Sequence, residues 1–109
     1  MQKLSVPAMA REPPERARAA GGGRAATVIG GHQRVLRQTV IALIGGAALA
    51  EHENPGEASV CALAGRVRLS AGESSWEGRP DDLLVVLDSA HALEAREDTA
   101  VLLTVARPQ

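Results

Sequence analysis

Aromatic side chains are all but missing from this chain of 109 residues: Trp76 stands alone, with no Phe and no Tyr. A core must therefore be assembled from Val, Leu, Ile and Ala, each of which buries less area than a ring. Pairing of apolar faces between two copies would recover burial that such a small domain lacks, so a homodimer is the expected state. Cysteine is nearly absent too. Cys61 has no partner for an internal disulfide, which fits a reducing compartment, and within its apolar run it reads as a small buried hydrophobe. Net charge is almost nil, with 12 basic against 13 acidic residues, so no field favours nucleic acid or an anionic membrane. Long apolar runs are lacking as well. The longest, residues 40–50, is split by Gly45 and Gly46 and falls well short of the ~20 residues that span a bilayer. No apolar stretch of ~7–15 residues follows Lys3 to make a signal sequence. The expectation is a cytoplasmic protein with neither membrane nor nucleic acid among its partners.

What is present is a 45% apolar chain of a length that suits one domain. Residues 1–24 differ from the rest: they hold Pro7, Pro13 and Pro14, several Arg and Glu, and Gly21 to Gly23. They read as a solvated N-terminal extension with room for a short helix on either side of the prolines, best placed over residues 14–20. The domain proper is expected over residues 25–109. There, turn signals recur at Gly30-Gly31, Gly45-Gly46, Asn54-Pro55-Gly56, Gly65, Ala71-Gly72, residues 78–81, Asp88-Ser89 and Glu97-Asp98. Strands between turns ~8–12 residues apart mark an all-β sandwich or barrel. Residues 35–44 and 47–52 are expected to pair as a hairpin across Gly45-Gly46, and residues 59–64 and 66–70 as another about Gly65. Residues 74–77 form a short strand bearing Trp76. The run LLVVL over residues 83–87 reads as a strand buried on both faces, and residues 91–96 and 99–105 complete the set.

Two stretches carry a more specific pattern. In the first, five residues separate Gly46 from His52, Asn54 follows, and a Pro55-Gly56 corner leads into an apolar run that ends at Gly65. In the second, residues 81–91 read DDLLVVLDSAH. Together they resemble the paired motifs of the cupins, a resemblance that covers roughly residues 25–106. It implies an antiparallel double-stranded β-helix, or jelly-roll barrel, of eight or nine strands. Cupins of the usual kind hold a divalent metal with two His and a Glu of the first motif and a His of the second. Here His52 stands for the first His and His91 for the last. Asn54 replaces the second His, and Ala58 takes the glutamate position. Glu57 is adjacent, but one residue along a strand turns a side chain to the opposite face. In the second motif Asp81, Leu87 and Ser89 replace Gly, Pro and a further small residue.

Alternation puts Ala48, Ala50 and His52 on one side of their strand and His91, Leu93 and Ala95 on one side of theirs; both sides are expected to look inward. His52, Asn54 and His91 then line an interior pocket for a small polar ligand, since a neutral imidazole offers one donor and one acceptor. If a divalent metal is bound, His52 and His91 would hold it, and whether a reaction is catalysed stays open. Two other functions are compatible with this sequence: a metal-dependent cupin enzyme of oxygenase or isomerase type, and a structural or dimerisation module. Trp76 is either the one large anchor of a core or dimer interface, or part of the pocket mouth. His32, beside Gly30-Gly31, is given no role. No phosphate-binding loop, nucleophile elbow, Cys-x-x-Cys pair or helix-turn-helix pattern is found.

Overall fold

The structure, a computed structural model, describes residues 3–11, 23–29, 35–52, 57–87 and 91–106, which form one short helix and nine strands. Helix α1 (Val6–Arg11) begins where Ser5 caps it: the Ala8 amide donates to Ser5 Oγ at 3.3 Å and the Met9 amide to the Ser5 carbonyl at 3.0 Å. The strands are β1 (Arg24–Ile29), β2 (Leu36–Leu43), β3 (Ala48–His52), β4 (Glu57–Ala64), β5 (Val67–Ala71), β6 (Ser74–Gly78), β7 (Leu83–Leu87), β8 (His91–Ala95) and β9 (Thr99–Ala106). The helix expected over residues 14–20 and the turn holding His32 lie outside the described residues.

The strands form two antiparallel sheets, five-stranded in the order β1-β2-β9-β4-β7 and four-stranded in the order β3-β8-β5-β6. Successive strands mostly change sheet, which corrects both expected hairpins: β2 pairs with β1 and β9 while β3 pairs with β8, and β4 pairs with β7 and β9 while β5 pairs with β6 and β8. The glycines at these corners carry the chain from one layer to the other. At Gly65, φ is 74° and a Cβ would collide with the Asp98 carbonyl oxygen, so no other residue fits without strain. Two pairs of consecutive strands do pair with each other among the described residues: β5 with β6 around Gly72, and β1 with β2.

Between the layers lies an aliphatic core of Ile41, Leu43, Val60, Ala62, Val67, Leu69, Leu93, Ala95 and Val101, with Leu49, Leu84 and Leu103 packed against it. In β4 the pattern is strict: Ala58, Val60 and Ala62 are buried, while Glu57 is exposed and Ser59 and Cys61 are half-buried on the other face. Thr99 is the single buried polar side chain among the described residues, and its hydroxyl donates to the Ala64 carbonyl at 2.7 Å. That bond ties β9 to the end of β4 just before the Gly65 corner.

Three expectations about burial are corrected. Leu83 and Val85 of β7 are 60% and 62% exposed, because β7 is an edge strand whose outer face has no covering layer. Trp76 is 66% exposed on the edge strand β6 and so anchors no core within the chain. Cys61 is half-buried on the outer face of its sheet, not in the core.

Candidate functional site

His52 closes β3 and His91 opens β8, and the register of these neighbouring strands sets the two positions directly opposite each other. Opposed residues of an antiparallel pair have Cα atoms ~4.5–5.5 Å apart and occupy the same face. Along β8, period two puts position 91 on the face that carries the buried Leu93 and Ala95, with the exposed Glu94 on the other. The side chains of His52 and His91, and all of Asn54, lie outside the described residues.

The route to this register differs from simple alternation. Ala48 pairs with Glu94 and is exposed; Leu49 pairs with Leu93 and packs on the core. The expected inward face of Ala48, Ala50 and His52 is therefore wrong at Ala48. Between Leu49 and His52 the register shifts, so that three steps on β3 match two on β8. This bulge inserts one residue and brings position 52 opposite 91 instead of leaving it on the face of Ala48. A sequence pattern of alternating residues carries no mark of such an insertion.

The remaining candidate donors separate cleanly. Ala58, where the usual carboxylate would stand, is buried toward the core, and Glu57 is exposed on the opposite face. Glu57 is not turned inward. Among the described residues no group of three or more His, Cys, Asp or Glu side chains could hold a metal ion. Two imidazoles and one amide at this end fall short of the three His or carboxylate ligands of a usual catalytic metal centre, with a methyl group where the anionic ligand belongs. The motif's donor set is therefore incomplete in this sequence.

Glu57 belongs instead to a groove on the outside of the barrel. On the outer face of the five-stranded sheet, Glu57, Ala58, Ser59, Val85, Thr104 and Ala106 line an open groove of ≈ 200 Å³. The alternation of residues 57–63 signals it: the outward set, Glu57, Ser59, Cys61 and Leu63, is too apolar for a fully solvated strand.

Two sheets of this strand order, enclosing an aliphatic interior, define a jelly-roll barrel. Comparison with solved structures gives the class a name. The chain superposes on a cupin superfamily protein from Desulfitobacterium hafniense DCB-2 with a TM-score of 0.79 and 14% identity, covering 98% of this chain and 92% of that one. An RmlC-like cupin from Desulfovibrio desulfuricans matches with a TM-score of 0.68 and 20% identity, over 79% and 84% of the two chains. A conserved protein of unknown function from Streptococcus pyogenes is 25% identical, with a TM-score of 0.74 over 83% of this chain and 79% of that one. No protein-family model matches the sequence, and no curated protein does. The chain has the fold of these cupins, the jelly-roll barrel that the motif resemblance implies. Among the described residues no helix is long and apolar enough to cross a membrane.

Proposed function

We propose that this barrel binds a small polar ligand in its interior, held by His52 and His91 from adjacent strands with Asn54 beside them, and that it does so without a catalytic metal shell. The observation that carries the reading is the bulged register of β3 and β8, which sets positions 52 and 91 opposite each other. Bulges of this kind recur next to functional sites because they re-aim a side chain at a local cost in pairing. Two neutral imidazoles on one face supply a donor and an acceptor each, enough to orient a ligand carrying hydroxyl, carbonyl or carboxylate groups. Leu49, Leu69 and Leu93, which lie in or against the core, would give such a ligand an apolar floor, and bonds made away from water are stronger.

Native mass spectrometry of the protein purified without chelator or added metal, together with metal analysis, tests this reading. The expected result is an organic adduct that His52→Ala and His91→Ala each remove while the circular dichroism spectrum is unchanged. Near-stoichiometric iron, manganese, nickel or zinc that both substitutions abolish would overturn it in favour of a metal-dependent enzyme. An adduct that survives both substitutions would place the ligand elsewhere.

A further inference from the structure

The two sheets are joined at one end of the barrel by short corners, residues 44–47, 65–66, 79–82 and 96–98. Each corner stacks the strands it joins, so β2 lies over β3, β9 over β8, β4 over β5 and β7 over β6. At the opposite end β3 closes with position 52 and β8 opens with position 91. On the facing sheet β2 begins at that same end, with Leu36 and then Arg37.

The face on which Arg37 lies follows from the strand's period. Ile41 and Leu43 belong to the core, so Thr39 and Arg37 share their side of β2. The register agrees: Arg37 is in register with Val105, and Val105 with Ala58, which is buried toward the core. Gln38, on the outer side, lies beside Thr104 and its Nε2 donates to Thr104 Oγ1 at 3.4 Å. Arg37 and Thr39 are both half-buried. Among the described residues, the core-facing positions of β2, β9, β4 and β7 hold no other charged residue. A cation on the inner wall of an aliphatic barrel is held there against a desolvation cost.

The row that contains Arg37 also contains the altered position of the first motif. A glutamate at position 58 would bring a carboxylate into that row, one strand beyond Val105. Alanine brings none, and the wall beside Arg37 is the apolar set Ala58, Leu103 and Val105. Facing sheets pack ~10 Å apart, so a small molecule can bridge from β2 to the strands that carry positions 52 and 91.

We propose that the interior ligand is a small monocarboxylic acid, its carboxylate gripped by Arg37 and its remaining polar group oriented by His52 and His91. This assignment rests on the interior pocket proposed above and adds the charge of what that pocket selects. A guanidinium has five donors in a planar fork, enough to serve a neighbour within the chain and a carboxylate at once. One cation balances one negative charge, whereas a phosphate dianion would leave excess charge against aliphatic walls. Thr39, the next inward position on β2, offers a hydroxyl beside the carboxylate.

Isothermal titration calorimetry with acetate, lactate, isobutyrate and benzoate, each compared with its own amide, tests the charge requirement. At least one acid is expected to bind about tenfold or more tightly than its amide, which keeps the shape and loses the charge. Arg37→Gln should remove most of that margin. Arg37→Lys keeps the charge without the planar fork and should fall between the two. Arg68→Gln, on the outer face of the four-stranded sheet, should leave the affinity unchanged. Amides that bind as tightly as the acids, acid binding that survives Arg37→Gln, or no acid bound at millimolar concentration would overturn the proposal. The acid and amide comparison uses the unaltered chain, so it decides even where a variant fails to fold. His52→Ala separates the two possible failures. An adduct that His52→Ala removes and Arg37→Gln spares leaves the interior pocket standing and overturns its acid. Acid binding lost in Arg37→Gln and unchanged in His52→Ala keeps the anion site and overturns the part given to the imidazoles.

Discussion

The two outer faces of this barrel are built on the same backbone plan and finished with opposite chemistry. Outside the four-stranded sheet, Arg68 sits in register between Glu77 on β6 and Glu94 on β8. Arg96 pairs with Glu77 at 3.5 Å and with Glu94 at 3.7 Å, and Arg66 with Glu97 at 3.4 Å. Outside the five-stranded sheet, Glu57 is the only charged residue among the described outward positions, and Leu36, Leu83 and Val85 stand exposed. A charged lattice covers one face, and an apolar surface partly covered by α1 the other. The lattice also protects: charges on an outer sheet oppose unwanted stacking.

The contrast is sharpest where it can be broken by one residue on each side. Val40 faces outward on the five-stranded sheet yet is fully buried where α1 packs. Val40→Asp would strand a carboxylate under an apolar helix, and a loss of about 3–5 kcal/mol in urea unfolding is expected. Ser75→Asp occupies an outward, exposed site of the four-stranded sheet, where Arg68 Nη2 already donates to Ser75 Oγ at 3.3 Å. It should change stability by less than about 0.5 kcal/mol. Equal costs at the two sites would erase the distinction between the faces.

Much of the barrel was legible residue by residue, and less of it pair by pair. Residues 35–44 were expected as a strand and form β2 over Leu36–Leu43, because β-branched side chains suit a pleated surface. Which strand lies beside it was not legible, since a glycine turn looks the same whether it closes a hairpin or hands the chain to the other sheet. The LLVVL run shows the same limit: an apolar edge strand and a doubly buried one share a composition, and only the missing neighbour on one side of β7 tells them apart. At the candidate site, the expectation was that His52 and His91 converge on one interior from separate strands, with residues 47–52 paired to 35–44. The register does set those positions opposite each other, though by a bulge that alternation along β3 could not reveal.

Both faces depend on the corners that carry the chain between layers, and these give an effect of intermediate size. Gly65 holds φ at 74° against the Asp98 carbonyl oxygen, so Gly65→Ala combines a disfavoured backbone with a steric collision. Thermal or urea unfolding should show a loss of about 2–3 kcal/mol. Thr99→Val keeps the shape beside it and removes only the hydroxyl that bonds Ala64, so about 1–2 kcal/mol is expected. If Thr99→Val costs more than Gly65→Ala, the corner is held by the hydrogen bond and not by backbone geometry.

The smallest effect belongs to the charged face itself. Arg96 reaches two carboxylates, but its side chain and those of Glu77 and Glu94 are all more than a third exposed. Exposed pairs at such distances are screened by water and salt, and holding three long side chains in place has an entropic cost that offsets most of the attraction. Arg96→Ala should therefore lower stability by no more than about 0.5 kcal/mol at low salt, and the difference should vanish near molar salt. A loss of several kcal/mol that persists in salt would mean that this lattice is covered in the working protein. The four-stranded face would then be an interface, and the asymmetry between the two sheets would lose its meaning.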